Sequence, residues 1–445
     1  MYYICKILKW KYFFMGLHIA TTKYKIYSSF GSVLEWFDFA LYGFFGQIFA
    51  NLFFSPLLSS SWTPLLMTYA TFAIGFVARP IGALIFGSIG DKYGRSFSLK
   101  LTPIAITIST ALIAFLPTYH SIGLLSIVLL LMLRIMQGIA LGGEFSMNMV
   151  YLYEFSKKWK YVWGSVGSCT GSLGIMLASA FSAFFYYSFN DYFIYNYGWR
   201  LAFLITLPLG LIVFNLRSRM KESPAFLPAE APKHPILISL KNHKKLFLLS
   251  VGLVCLHATS YYFIFMFVPI FLEKTRHFHE AAVLINNSEF LIIHLACIPL
   301  FAFLVEKLGG FKAIIVVSLL FFFLTEPLFY LVLYGQKNIV LIALAVFSIL
   351  SSLNAAIVPA LLSYVLPSHI RSTLFSFSFN VAFGIFGGSI PFIGLLFLRY
   401  FKDALYPCSI LIVSSMVTLF SAFTLLKWEQ EKWNLKITNP SVKIA

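Results

Sequence analysis

The stretch GSVLEWFDFALYGFF, from Gly31 to Phe45, is apolar enough to sit in lipid, yet it carries two carboxylates, Glu35 and Asp38, and a phenol, Tyr42. These three stand at i, i+3 and i+7, which places them on one helix face within about 60° of arc. An ionisable side chain at bilayer depth costs roughly 2.5–3.5 kcal/mol on insertion scales, so it faces a watery cavity or a partner charge. The chemistry open to Glu35 and Asp38 is uptake and release of a proton, and Glu144 is a third candidate for that role. A second stripe lies in LMLRIMQGIALGGEFSMNMVYLYE, where Arg134, Gln137, Glu144 and Asn148 fall at i, i+3, i+10 and i+14. A guanidinium group holds a carboxylate through two charge-assisted hydrogen bonds. Arg134, Gln137, Tyr42 and Asn148 are therefore candidates for binding a carboxylate-bearing solute. The competing reading is an ion pair that pins one helix to the other.

Later in the chain the polar groups thin out. His257, Tyr261 and Tyr262, then Glu289, His294 and Glu326, then Asn354 and Asn380, are the candidates there. A histidine can shuttle protons near neutral pH, and His257, Tyr261, Asn354 and Asn380 are candidate solute contacts. The asparagines can equally tie neighbouring helices together. The five cysteines (Cys5, Cys169, Cys255, Cys297 and Cys408) have no metal-ligand spacing, and no phosphate-cradling glycine loop occurs. The expectation is no metal, no cofactor and no direct ATP drive, which leaves an ion gradient as the energy source.

The elements that hold these residues are long apolar runs. With 60% hydrophobic and 11% charged residues and a mean hydropathy of +0.85, the 445-residue chain lies outside the range of soluble domains. Runs long enough to cross about 30 Å of hydrocarbon occur at 27–51, 64–89, 99–117, 121–153, 161–187, 199–216, 245–272, 281–305, 312–334, 339–365, 371–398 and 404–427. The net charge of +17 raises the question of nucleic acid, but its distribution answers otherwise. Lys274, Arg276, Lys337, Arg399 and Lys402 alone fall in the loops of one face, Arg79, Arg134 and Arg200 lie in or at the edges of runs, and all other Lys and Arg share the opposite face. The positive-inside rule then puts both termini in the cytoplasm and excludes nucleic-acid binding as the reason for the charge. The first 26 residues are basic and lack a cleavage site, and Met15 is an alternative start. The organisation expected is an all-α membrane protein with a basic segment 1–26, a six-helix bundle 27–216, a Pro- and Lys-rich cytoplasmic loop 217–244, a second bundle 245–427 and a short tail 428–445.

The two halves echo each other. Asp91-Lys92-x-Gly94 aligns with Glu306-Lys307-x-Gly309 at an offset of 215, and Lys160 aligns with Arg371 at an offset of 211. Glycines at 164, 167, 171 and 174, and at 384, 387 and 388, have the small-residue spacing of closely packed helices. The loop GSIGDKYGR, with Gly87, Asp91, Lys92, Gly94 and Arg95, resembles the signature of the major facilitator superfamily. EWFDFALYG, ARPIGALIFGSIGDKYGR, LRIMQGIALGGEF, GWRLAFLITLPLG and KESPAF narrow the likeness to its metabolite:proton symporters, the relatives of proline/glycine-betaine transporters and of alpha-ketoglutarate, citrate and shikimate permeases. That resemblance implies a twelve-helix fold whose helices 1, 4, 7 and 10 line a central cavity, a monomer in a bacterial inner membrane, and a gating role for the 87–95 loop. It implies proton-coupled symport by alternating access. A uniporter or sodium-coupled carrier of the same fold is the alternative, and a polytopic membrane enzyme or sensor is a more distant one.

Overall fold

The computed structural model describes residues 2–55, 63–154, 156, 158–222, 243–366, 371–401 and 404–438; within these, the side chains of 2–22, 87, 88, 90–92, 95, 154, 372 and 432–438 lie outside the description. Hydropathy dictates the elements, because lipid leaves every backbone amide to be satisfied within its own segment. Eleven helices among the described residues are long and apolar enough to cross a membrane, and a bent pair supplies a twelfth span. They are α1 (Lys23–Phe44, continued after a 54° bend by Gly46–Phe54), α2 (Thr63–Phe86), α3 (Ser96–Ala114), α4 (Leu124–Tyr153), α5 (Lys160–Ser188) and α6 (Asp191–Ser218), then α7 (Lys244–Arg276), α8 (Glu280–Leu308), α9 (Gly310–Tyr334), α10 (Lys337–Val365), α11 (Thr373–Tyr400) and α12 (Tyr406–Glu431). No strand occurs among the described residues.

Two departures from the sequence reading have local causes. The sixth span begins at Asp191 instead of 199: Asn190 caps the helix by accepting from the Phe193 amide at 2.9 Å, and the chain then winds through a wider π-helical turn, Ile194–Gly198. The same helix runs on to Ser218, so Arg217, expected to open the polar loop, is a buried helical residue.

Packing follows the repeat. Most helix partners lie within α1–α6 or within α7–α12, while α5 against α8 and α10, and α11 against α2 and α4, join the halves. The echo extends to backbone detail. Gly94 and Gly309, paired by the 215-residue offset, both take positive φ, 104° and 89°, which a side chain disfavours. Both α1 and α7 carry a π-helical turn, at Ala50–Phe54 and Phe263–Phe267. The glycine stripes permit the close crossings. A methyl carbon at Gly174 would lie 2.7 Å from Trp36 Cβ on α1, and one at Gly384 would lie 2.5 Å from the Phe76 carbonyl oxygen on α2. The helix enclosed most completely is α7, which holds His257, Tyr261 and Tyr262.

Candidate functional site

The face of α1 predicted from spacing is buried: Glu35 is 3% exposed, and Asp38 and Tyr42 are fully enclosed. None of the four carboxylate oxygens of Glu35 and Asp38 has a hydrogen-bond partner. A buried charge without a partner is costly, so each of these carboxyls calls for a proton or another compensating group. The charged neighbours acting on Glu35 are Glu144, Arg79, Arg217 and Asp38.

The α1 and α4 stripes do meet, through aromatic rings. The Arg134 guanidinium lies 4.1 Å from the Phe39 ring centre and 4.2 Å from that of Tyr42. Its Nη1 donates to Gln137 Oε1 at 2.7 Å, Gln137 Nε2 donates to Thr110 Oγ1 at 2.6 Å, and Tyr42 donates to the Thr68 carbonyl at 3.3 Å. Neither Glu35 nor Asp38 forms an ion pair with Arg134, whose Nε and Nη2 stay unpartnered.

Glu144 departs from the expected role. Its carboxylate pairs with Arg217 of α6, with both side chains fully buried, and Arg217 Nη1 donates to Glu144 Oε2 at 2.6 Å. Thr102 and Ser32 also donate to Glu144, so its acceptor positions are occupied. The reason is reach: the last turn of α6 brings a guanidinium to the α4 stripe that no stripe on α1 could supply. Asn148 likewise pins helices, donating to Ser32 Oγ at 2.8 Å and accepting from Ser28.

Arg79 on α2 was not among the candidates of the sequence reading, which placed it within the 64–89 run and gave it no role. It is fully buried where the halves meet: Nε donates to Asn380 Oδ1 of α11 at 3.1 Å, and the guanidinium carbon lies 5.2 Å from the Trp36 ring centre. Both Nη atoms are unpartnered. An arginine inside an apolar run was itself the available signal. Asn380, expected as a solute contact, is engaged in joining helices, since it also donates to the Gly142 carbonyl of α4 at 2.9 Å.

A cavity of about 20 Å³ lies among Trp36, Phe145, Ser168, Ser172, His257, Tyr261 and Phe383, drawn from both halves. That is room for one water molecule and not for an organic solute. Its walls are aromatic: Trp36 stands 5.2 Å from Phe145 and 6.4 Å from Phe383, and His257 stands 5.1 Å from Phe383, centre to centre. His257 Nδ1, the Tyr261 hydroxyl and both amide atoms of Asn354 are buried without partners. His294 Nδ1 sits 3.2 Å from the Ser348 carbonyl oxygen. Glu289 and Glu326 are exposed on α8 and α9 and take no part in the centre.

At the basic end the second-half copy of the loop motif makes a contact between halves. Glu306 accepts from the amides of Tyr161 at 2.8 Å and Lys160 at 3.3 Å, the first turn of α5, where the helix dipole favours an anion. In the first-half copy, Gly87 and Gly94 belong to a described backbone, while the side chains of Asp91, Lys92 and Arg95 lie outside the described residues. Beside it Glu222, of KESPAF, accepts from the Ser96 amide at 3.0 Å. At the opposite end a cavity of about 30 Å³ opens between the halves, bordered by Tyr69, Tyr186, Met266, Glu273 and Glu280.

Residues 28–391 match the Major Facilitator Superfamily. A putative proline/betaine transporter of Staphylococcus aureus is 32% identical, over 93% of this chain and 89% of that protein. The glycine betaine/proline/ectoine/pipecolic acid transporter of Dickeya dadantii is 28% identical, over 88% of this chain and 80% of that protein. Among solved structures, the proton:xylose symporter XylE superposes with a TM-score of 0.75 at 16% identity, over 92% of this chain and 95% of that one. The human organic anion transporter MFSD10 gives 0.65 at 13% identity, over 91% and 99%. These relatives are transporters and not enzymes, and the chain belongs to the Major Facilitator Superfamily as a multi-pass membrane transporter.

Proposed function

We propose that the protein is a proton-coupled symporter of a small zwitterion of the proline or betaine type, working by alternating access. The observation that carries this reading is a set of unlike, unused groups buried on adjoining helices: the free carboxylates of Glu35 and Asp38 on α1, and on α2 the free Nη atoms of Arg79, which acts on Glu35 and stands 5.2 Å from the Trp36 ring that also walls the aromatic cavity. A solute carboxylate fits the Arg79 fork. Its ammonium or quaternary nitrogen fits the faces of Trp36, Phe145 and Phe383, since rings attract cations whose hydration is weak. The relatives' names, proline/betaine transporters, support a zwitterionic solute of this kind.

The coupling follows from charge. Occluding an ionised, unpartnered carboxylate costs several kcal/mol, so the halves close most readily when Glu35 and Asp38 are compensated by a proton and the solute carboxylate by Arg79. Arg134 positions Tyr42 and α1 from behind. The end rich in Lys and Arg faces the cytoplasm of a bacterial inner membrane, Glu306 of α8, bound to the first-turn amides of α5, holds that end shut, and the protein works as a monomer without a cofactor.

Purified protein in liposomes, given labelled proline, glycine betaine, alpha-ketoglutarate, citrate or shikimate with and without an inward proton gradient, tests the reading. Gradient-dependent accumulation of proline or betaine is the expected result. A solute that only equilibrates, whatever the gradient, would make the protein a uniporter or a carrier coupled to another ion.

A further inference from the structure

The polar stripe of α1 does not stop at Glu35. It continues toward the basic end through Ser32, Ser28 and Lys25 at the same three- and four-residue spacing, and all three are buried. Asn148 joins Ser28 to Ser32, Ser32 donates to Glu144 at 3.5 Å, and Lys25 Nζ donates to Ser156 Oγ at 3.0 Å. A row of buried polar side chains thus runs, inside a single half, from the turn beside Glu35 toward one face of the membrane, with Ser28, Asn148, Ser32 and Glu144 bonded to one another and Glu35 itself left unbonded at its inner end. In a symporter such a row is a hazard, because a proton that escapes along it crosses without solute.

The Arg217 guanidinium lies across this row. It donates to the Ser28 carbonyl at 2.8 Å, to the Leu99 carbonyl at 2.6 Å and to both oxygens of Glu144. It rests in a notch on α1 at Gly31, one turn from Glu35, where any methyl group would overlap it. A guanidinium keeps its charge at every relevant pH, and a fixed positive charge in a low-dielectric passage excludes protons. We propose that Arg217, seated at Gly31 and anchored by Glu144, is an electrostatic plug that stops protons held at Glu35 and Asp38 from leaking along the α1–α4 polar row. The proposal rests on the proton-symport reading and assigns to the buried ion pair a task beyond holding α1, α3, α4 and α6 together.

The test uses full-length protein in liposomes with an imposed pH gradient, a pH-sensitive dye inside and no solute. The variants are Glu144→Gln/Arg217→Gln, which removes both charges together and leaves no orphaned ion, and Arg217→Lys, which keeps the positive charge. Solute counterflow identifies folded protein. The double variant is expected to dissipate the gradient while wild type and Arg217→Lys hold it, and adding Glu35→Gln and Asp38→Asn to the double variant is expected to abolish the leak. A folded double variant as tight as wild type overturns the plug, as does equal leakage from Arg217→Lys. Gly31→Ala, which displaces the guanidinium with every charge retained, gives an independent reading if the double variant does not fold: a leak supports the plug, and a tight membrane overturns it. Solute-linked proton uptake by wild type, measured in the same vesicles, judges the symport reading separately.

Discussion

Arg79→Lys keeps a cation on α2 and removes the fork. In the structure Nε of the guanidinium is engaged, 3.1 Å from Asn380 Oδ1, and both Nη atoms are free to take a carboxylate end-on. A lysine ammonium presents a point charge, so the solute loses one of two charge-assisted hydrogen bonds, worth about 1.5–3 kcal/mol. At about 1.4 kcal/mol per tenfold, the half-saturation concentration for proline or betaine rises roughly 10- to 150-fold. The bond to Asn380 is lost as well, at about 1 kcal/mol, which loosens the α2–α11 seam and lowers thermal stability slightly. The assay is concentration-dependent uptake alongside direct binding in detergent. Uptake that saturates at the wild-type concentration in a folded Arg79→Lys protein would refute the reasoning, because a carboxylate held by that fork cannot ignore its loss.

Other substitutions separate the remaining contributions. Trp36→Leu removes a ring face from the cavity wall, and a cation–π contact of about 0.5–2 kcal/mol predicts roughly a 2- to 30-fold weaker apparent affinity for glycine betaine; unchanged betaine kinetics would take Trp36 out of the binding surface. Glu306→Gln weakens the anion at the first turn of α5 by about 1 kcal/mol, so alkylation of a cysteine placed at Ser172 from the basic side is expected to speed up about fivefold; an unaltered rate would deny Glu306 a gating role. Gly174→Leu forces atoms into the space where a methyl carbon already lies 2.7 Å from Trp36 Cβ, and overpacking of about 1–3 kcal/mol should lower the melting temperature. A melting temperature equal to wild type would show that the α1–α5 crossing yields more easily than its geometry suggests.

Helix number and approximate position were legible because the bilayer imposes one length and one polarity on every span. The α1 face was legible for a related reason, since carboxylates in an apolar run leave few places to point. Arg217 was not, because it opens the stretch RSRMKES and reads as the start of a polar loop; only the last turn of α6 reveals that it reaches Glu144. Arg79 was not, because its worth depends on α11, three hundred residues away, arriving at α2 with Asn380. Glu289 and Glu326 stood out in the sequence only as polar groups in apolar runs, and the packing of α8 and α9 leaves them exposed. The second-half copy of the loop motif was faint in sequence, yet its glycine conformation and its Glu306 contact show the geometry that the residue types alone left indistinct.

The central claim is that Asp38 and Glu35 carry the proton that drives the solute. Asp38→Asn in liposomes, measured for gradient-driven accumulation and for solute counterflow in parallel, tests it most directly. The account predicts that accumulation is lost while counterflow continues, because binding and the alternation of the halves survive without the proton. Full gradient-driven accumulation by Asp38→Asn, and again by Glu35→Gln, would contradict it.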